Sequence, residues 1–467
     1  MHNLNLPSVV HCTGEPPDLL ALHEMNPERY PYLLQSVAQT TQQVQFDILF
    51  ACPQQTLALN SSGALTLSKA GAEKIAITET SDFLAMFDHY WQAQHSAHAN
   101  SLHDIPFRGG WFLFLGYELA QQIEPSLNLP KDHASDLPVA FATQIPVAVV
   151  INRRSGEWFL VAEQAFEDQL ALIKKDIETL VQAGLSSHKV LAEKILQSIE
   201  EEPAEKYLSS VKRILDYIKA GDVFQVNLSR LWTAKLHSKV SNSRLYRRLM
   251  HTNPAPFFAL AVYQQHAIIS SSPERLVRVS GERIETRPIA GTRPRGATEL
   301  LDAEKLQELI GHPKERAEHV MLIDLERNDL GRVCKPGTVK VNELMTLETY
   351  AHVHHIVSNV QGTLREDCTP GKVIRAVFPG GTITGCPKVR CMEIIAELEA
   401  QPRGAYTGSV GYVNHDGSMD LNILIRTLVK NNNVINLRAG AGIVADSDPY
   451  NELEETRAKA KGLLLAL

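Results

Sequence analysis

From Pro203 onward, apolar positions recur with helical spacing. Tyr207, Val211, Ile214, Leu215 and Ile218 share one face of AEKYLSSVKRILDYIKAGD, and the run stops at Gly221. The period then changes. FQVNLSRLW sets Phe224, Val226 and Leu228 against Gln225, Asn227 and Ser229, the two-residue alternation of a half-buried strand. Further strands are predicted at 257–263, 266–271 and 275–279, the last turning at Ser280-Gly281 into RIETRPI. A helix is predicted from Pro313 to about Asp329. GSVGYV, the HDGS turn, MDLNILIRTLV, an Asn-rich turn and VINLRAG predict antiparallel hairpins, and NELEETRAKAKGLLLAL a terminal helix. Before about residue 160 the pattern is of short apolar runs between turn residues, as in FDILFA (46–51), GWFLFLGYELA (110–120) and VAVVI (147–151). Residues 166–202 are charged and helical in period, with LALIKKDIETLVQAG ending at Gly184, and read as a surface connector. The chain thus divides into an N-terminal region (1–160), a helical connector (161–202) and a C-terminal region (203–467). Hairpins and helices come in separate groups rather than in βαβ alternation, which predicts an α+β fold.

Composition narrows the class of protein. The 467 residues are enough for two or three domains or one large core, and 44% hydrophobic with 21% charged residues is the balance of a soluble globular protein. A net charge of −7 gives no reason to expect nucleic acid. No apolar run approaches the roughly 20 residues that span a bilayer, and MHNLNLPSVVHCTGEPP lacks the basic start and apolar block of a signal peptide. Six scattered cysteines do not make a disulfide scaffold, and Cys386 and Cys391 are a lone pair from which no zinc site is expected. The expected setting is the reducing cytosol.

Several stretches carry candidate chemistry. ETRPIAGTRPRGAT (285–298) packs two prolines and two glycines between three arginines, a rigid cationic turn able to offer N–H groups and guanidinium forks to an anion, or equally an ordinary loop. In the last helix Glu452, Glu455 and Lys459 stack at i, i+3 and i+7, the usual mark of a solvated face with an intrahelical ion pair. Glu318 shares a face with Leu322 and Leu325, which directs the acid inward. Three such carboxylates would suit Mg²⁺, although spacing does not bring the two helices together. GAGIVA (440–445) fits G-x-G-x-x-A, but DSDP follows where a dinucleotide fold needs a helix at once, so its glycines point instead to close approach of a flat or anionic group. Arg426, polar in an apolar strand, points to the same place. GGTITG (380–385) lacks the Lys-Ser/Thr ending of a phosphate loop. In AHVHHIVS, at most one of His354 and His355 can face a given site.

SPERL (272–276), RPIAGTRPRG (287–296), KERAEHVMLIDLERNDLGRV (314–333), FPGGTITGCPKVRCMEII (378–395), GSVGYV (408–413), DLNILIRT (420–427), GAGIVADS (440–447) and ELEET (452–456), in this order, resemble the chorismate-utilising enzymes. The resemblance covers roughly 203–465, with weaker similarity through 28–160. It implies a large two-layered antiparallel β sandwich flanked by helices, as in anthranilate synthase component I. By the same resemblance Glu318 and Glu455, assisted by Glu452, hold Mg²⁺ against the ring carboxylate of chorismate. Arg426, Tyr406, the Gly440 and Gly442 amides and Lys459 take the other carboxylate, and Gly291 and Thr292 form a turn against the substrate. Glu274 matches the general acid for loss of the C4 hydroxyl, and His355 the family's active-site histidine. Gln225 stands where water-using members carry a lysine base, which implies amination and a glutamine amidotransferase partner as ammonia donor. FQVNL, FPGGTITG, GWFLFLGYELA and LLQS (33–36) resemble the branch that makes 4-amino-4-deoxychorismate for 4-aminobenzoate and folate. Tyr406 and PIAGT resemble the anthranilate-forming branch, and Ala290 replaces a lysine of the C4-aminating members. The alternatives are therefore amination at C2 and, in another class, a non-catalytic homologue that binds chorismate or a partner. Ser36, Phe46, Pro256 and Phe257 sit where aminating members have a tryptophan pocket, with plain core packing as the other reading.

Overall fold

The computed structural model describes residues 7–37, 45–69, 74–78, 82–95, 105–132, 135–184, 194–237, 240–295, 298–311, 313–349 and 353–467; within these, the side chains at 290, 292–294, 299, 303, 308–311, 313–315 and 353 are outside the description. Among the described residues, two twelve-stranded sheets pair antiparallel throughout and pack face to face, with helices on the outer faces. The expected two-layered α+β sandwich is the observed fold.

The apolar runs make this architecture because both faces of the central strands are covered. In Phe46–Ala51, Ile48 and Phe50 enter the core between the sheets, while Leu49 and Ala51 enter the core under the helices. Val147–Asn152 does the same, with Ala148 and Val150 inward and Val147, Val149 and Ile151 outward. Gly110–Leu115, in the opposite sheet, sends Phe112 and Phe114 between the sheets and Trp111, Leu113 and Leu115 to its own helices. The inter-sheet core is aromatic: Tyr32 stacks on Phe112 at 4.0 Å between ring centroids, and Phe50 meets Phe107 edge-on at 4.8 Å. Each buried ring of this kind contributes about 1.5–3 kcal/mol through the area it removes from water.

The three sequence regions are interleaved. Tyr32–Gln35 pairs with Phe257–Tyr263, and Gly110–Leu115 pairs with Ser409–Asn414. The stretch read as a surface connector contains the helix Gln169–Gln182, whose Leu170, Ile173 and Leu180 are buried in the main core, and the strand Leu196–Glu201, which extends the sheet at Gln225–Leu236. A helix over Glu299–Gly311 was not anticipated; it precedes the predicted one, which runs Pro313–Gly331.

Three sequence readings change in the structure. First, Gln225–Leu236 is not half-solvated: Gln225, Ser229 and Arg230 are buried, whereas Phe224 is 69% exposed. The polar face of the strand is lined by other polar groups rather than water. Second, Arg426 is not in a strand. It occupies the break between Met419–Asn422 and Thr427–Asn431, with φ 52°. Third, the stretch at 285–298 is largely strand. Ile289–Pro294 pairs with Val353–Thr363, and an extra residue is accommodated at Gly291 with φ 68°, a bulge position suited to glycine. Its cationic character is partly cancelled, since Arg287 pairs with Glu343 and Glu348 at 2.6 Å each and Arg295 with Asp302 at 2.8 Å.

Candidate active site

The strands Gln225–Leu236 and Val434–Ile443 pair so that Gly442 lies opposite Asn227 and Gly440 opposite Ser229. Both glycines are required by what crosses them. A Cβ on Gly442 would stand 2.3 Å from Gln225 Nε2, and one on Gly440 would stand 2.8 Å from the Tyr406 hydroxyl and 2.9 Å from Asn227 Oδ1. The period-2 strand therefore delivers Gln225 and Asn227 to a floor of bare backbone, as the GAGIVA stretch implied, and no dinucleotide turn is present there. Gln225 is itself pinned: the Cys391 thiol donates to its carbonyl at 3.0 Å, and Gly385–Cys386 pairs with it in the sheet.

Helices bring charge to this floor. Gln225 Nε2 donates to Glu318 Oε1 at 2.6 Å, which places the helix Pro313–Gly331 over the strand. The terminal helix Pro449–Leu465 brings Lys459, whose Nζ donates to the Gly440 carbonyl at 3.1 Å and pairs with Glu455 at 2.7 Å. Glu452 and Glu455 both act on the Tyr207 hydroxyl, a buried group with no hydrogen-bond partner. Glu318, Glu452 and Glu455 are oxygen donors of the type Mg²⁺ accepts. Among the described residues, however, no three His, Cys, Asp or Glu side chains stand close enough together to hold a metal. Glu318 is engaged by Gln225, and Glu455 by Lys459 in the intrahelical pair its spacing foretold.

On the other side stands Glu274, in the turn after His266–Ser272 and 5% exposed. Burial, with the nearby Glu326 charge adding to it, pushes its carboxyl up to about 8, against the pull of the Thr382 hydroxyl, the Ile289 amide and Lys459. It is thus a protonated acid at neutral pH. Arg426 faces it; burial lowers this guanidinium and Glu274 supports it. His355 points to the same side, and burial followed by the Arg426 charge lowers it to about 3, so the ring is neutral; Gly291 bonds it through the backbone. His354 points the opposite way, to Asp302 at 2.9 Å and Thr349 at 2.9 Å. Thr292 lies opposite His355 in the ladder. The side chains of Thr292 and Ala290, including the question that Ala290 raises, lie outside the described residues.

The arrangement joins the anticipated residues in one chain of contacts and charges. Gln225, Glu318, Gly440, Gly442, Tyr406, Lys459 and Glu455 lie on one side, Glu274, Arg426, His355 and Gly291 on the other, with Lys459 acting on Glu274 across them. Gln225 Oε1, Asn227 Oδ1 and Glu274 Oε1 are buried with no hydrogen-bond partner among the described residues. Buried polar atoms are nearly always paired, so three orphaned oxygens beside two cations suit a ligand that carries both hydrogen-bond donors and negative charge. Sequence reasoning missed the support beneath. Arg403, from the loop after the helix Lys388–Glu399, donates to the Asn227 carbonyl at 2.7 Å, the Ile383 carbonyl at 3.2 Å and Glu399 at 2.6 Å, under the Tyr406 ring. Its only sequence signal is its position three residues before Tyr406.

A cavity of about 200 Å³ lies between the sheets, lined by Phe46, Pro256 and Phe257 together with Gln35, Arg278 and Asp420. Ser36 sits beside it, its amide donating to Asp47 at 3.0 Å.

An acid, two cations and orphaned polar groups over a glycine floor make a site suited to a small anionic ligand. The family model for chorismate binding enzymes matches residues 36–465, and the chain belongs to that family. It is 44% identical to the anthranilate synthase component I-like protein of Synechocystis sp. over 366 residues, 78% of this chain and 73% of that one. It is 41% identical to aminodeoxychorismate synthase component 1 of Bacillus subtilis over 370 residues, 78% of each. The crystal structure of anthranilate synthase component I from Streptococcus pneumoniae superposes with a TM-score of 0.77 at 30% identity, covering 91% of this chain and 93% of that one. No helix among the described residues is long and apolar enough to cross a membrane.

Proposed function

We propose that this chain aminates chorismate at C4 to give 4-amino-4-deoxychorismate, with ammonia supplied by a glutamine amidotransferase subunit in the cytoplasm. The observation that carries amination is Gln225. A buried amide that donates to Glu318 has no titration near neutrality and cannot activate water as a base, whereas its orphaned Oε1 can accept an N–H of ammonia. Glu318, Glu452 and Glu455 are the oxygen donors that would hold Mg²⁺ if Glu318 left Gln225 and Glu455 left Lys459, and the ion would then neutralise and orient the ring carboxylate. Arg426, Lys459, Tyr406 and the glycine floor receive the second carboxylate. Glu274 gives its proton to the C4 hydroxyl, which leaves as water. The motifs FQVNL and FPGGTITG favour C4 over C2.

Tyr406, close over Gly440, and Ala290 favour the second reading, amination at C2 to anthranilate. Incubation with chorismate, Mg²⁺ and ammonium discriminates them. The expected product is an aminated chorismate that a lyase converts to 4-aminobenzoate. Fluorescent anthranilate formed without a lyase would overturn the C4 reading, and absence of chorismate consumption would favour the non-catalytic binder.

We also propose that the inter-sheet cavity takes tryptophan, its ring against Phe46 and Pro256 and its charged ends toward Arg278 and Asp420. Millimolar tryptophan is then expected to raise the melting temperature by about 1–3 °C. No shift would return the cavity to simple core packing.

A further inference from the structure

Gln225, Asn227 and Ser229 alternate along the strand Gln225–Leu236 and so share one face of it, beside Gly442 and Gly440. Ser229 is fully engaged: its hydroxyl and backbone amide donate to Glu399, and Arg438 donates to the hydroxyl oxygen. Gln225 is half engaged. Its Nε2 donates to Glu318 at 2.6 Å, which turns Oε1 the other way, buried and with no partner among the described residues. Asn227 lies between these two. Its backbone is held at both ends, the amide donating to the Thr384 carbonyl at 2.9 Å and the carbonyl accepting from Arg403 at 2.7 Å. Its side-chain Oδ1 is buried and again has no partner among the described residues. A Cβ on Gly440 would stand 2.9 Å from this oxygen and 2.8 Å from the Tyr406 hydroxyl, so Oδ1 borders the space over the glycine floor.

Two neighbouring oxygens without partners call for a hydrogen-bond donor. The carboxylates of chorismate offer none, and in the amination reading its one ring hydroxyl goes to Glu274. Ammonia has three N–H groups and one lone pair. A single acceptor would leave it free to swivel, whereas two fix the direction of the lone pair, and orienting a nucleophile removes much of a barrier. Alternate residues of a strand lie about 6.7 Å apart at Cα. Two acceptors around one nitrogen stand about 4.7 Å apart at ordinary hydrogen-bond lengths, a difference the longer glutamine side chain spans.

We propose that Asn227 is the second acceptor for ammonia: its Oδ1 and the Oε1 of Gln225 each take one N–H and aim the lone pair at the ring carbon under attack. The proposal rests on the amination reading above and holds for attack at C4 or C2. The nitrogen bonds to carbon through that lone pair and keeps its three hydrogens. The C4 hydroxyl leaves as water with the Glu274 proton, and the charge of the ammonium group formed balances that of the Glu274 carboxylate.

The test is steady-state kinetics at fixed pH with ammonium chloride as the nitrogen source. Asn227→Leu, close in volume but without the acceptor, is expected to lower kcat/KM for ammonium at saturating chorismate by about 3–10-fold, the loss of one hydrogen bond. KM for chorismate should stay within about twofold of the parent. Asn227→Asp, which keeps an acceptor oxygen at the same place, is expected to recover most of the loss, with melting temperatures checking that both variants fold. Asn227→Asp as impaired toward ammonium as Asn227→Leu would overturn the proposal. So would a raised KM for chorismate with ammonium kinetics intact, which would mean that the amide turns its NH₂ group to the substrate. A parent that aminates while both variants keep its ammonium kinetics removes only Asn227; a parent that does not aminate chorismate removes the amination reading and this inference with it.

Discussion

Glu274→Gln is expected to lower turnover by about 10²–10⁴-fold, the usual contribution of a positioned general acid. The chain should still fold. Burial raises the Glu274 carboxyl to about 8, so the parent already carries an uncharged group there at neutral pH, and glutamine replaces it in nearly the same volume. Melting temperature and chorismate binding should therefore stay close to those of the parent while the chemical step fails. The sign of the pH dependence follows from the same shift. A proton held with a value raised to about 8 is present below that pH and lost above it, so activity of the parent should fall as pH rises through about 8. Parent-like turnover in the variant would remove Glu274 from the reaction, and a decline confined to acid pH would assign the opposite protonation state to the working form.

The largest expected effect on stability is at Arg403. Its side chain is 1% exposed and pairs with Glu399, itself 2% exposed, at 2.6 Å. Arg438 approaches Glu399 at 3.3 Å, and Ser229 donates to it through its amide at 2.9 Å and its hydroxyl at 2.8 Å. Burial works to raise this carboxyl, and the two guanidiniums outweigh burial and hold it below the ordinary range. Arg403→Met leaves Glu399 with less than its full set of partners and frees the Asn227 and Ile383 carbonyls. Breaking a buried pair in this way costs about 3–5 kcal/mol, to be read as a clear drop in the midpoint of chemical unfolding. Activity should fall too, since Arg403 ties the strand of Gln225, the 380–385 turn and the Tyr406 loop to one guanidinium. Arg403→Lys, which keeps the charge without the planar fork, should lie between the two. An unfolding midpoint equal to that of the parent would mean that Arg438 and Ser229 suffice for Glu399.

The elements that sequence read well are those with a strong local period. The face of Ala204–Ala220 ends at Gly221 in a left-handed conformation, as its glycine stop foretold, and the hairpins near the C-terminus lie where the turn residues put them. The readings that changed share one cause. Alternation in FQVNLSRLW identified a strand but could not distinguish water from a buried polar network on its second face, because both select Gln, Asn and Ser. Arg426 looked like a strand residue because neither neighbour in LIRT is a turn former; its positive φ lies in a break between two strands that no local residue marks.

By itself, the sequence determined the class of fold, the antiparallel pairing and the family, because period, turn chemistry and eight ordered motifs are local properties of a chain. Only the tertiary structure decided that Gln225 meets Glu318, that Arg426 faces Glu274, and that Arg403 joins three parts of the site. Those relations depend on distances between residues far apart in sequence and on the loss of water around them. It is that loss, rather than the identity of any one residue, that turns Glu274 into an acid at neutral pH.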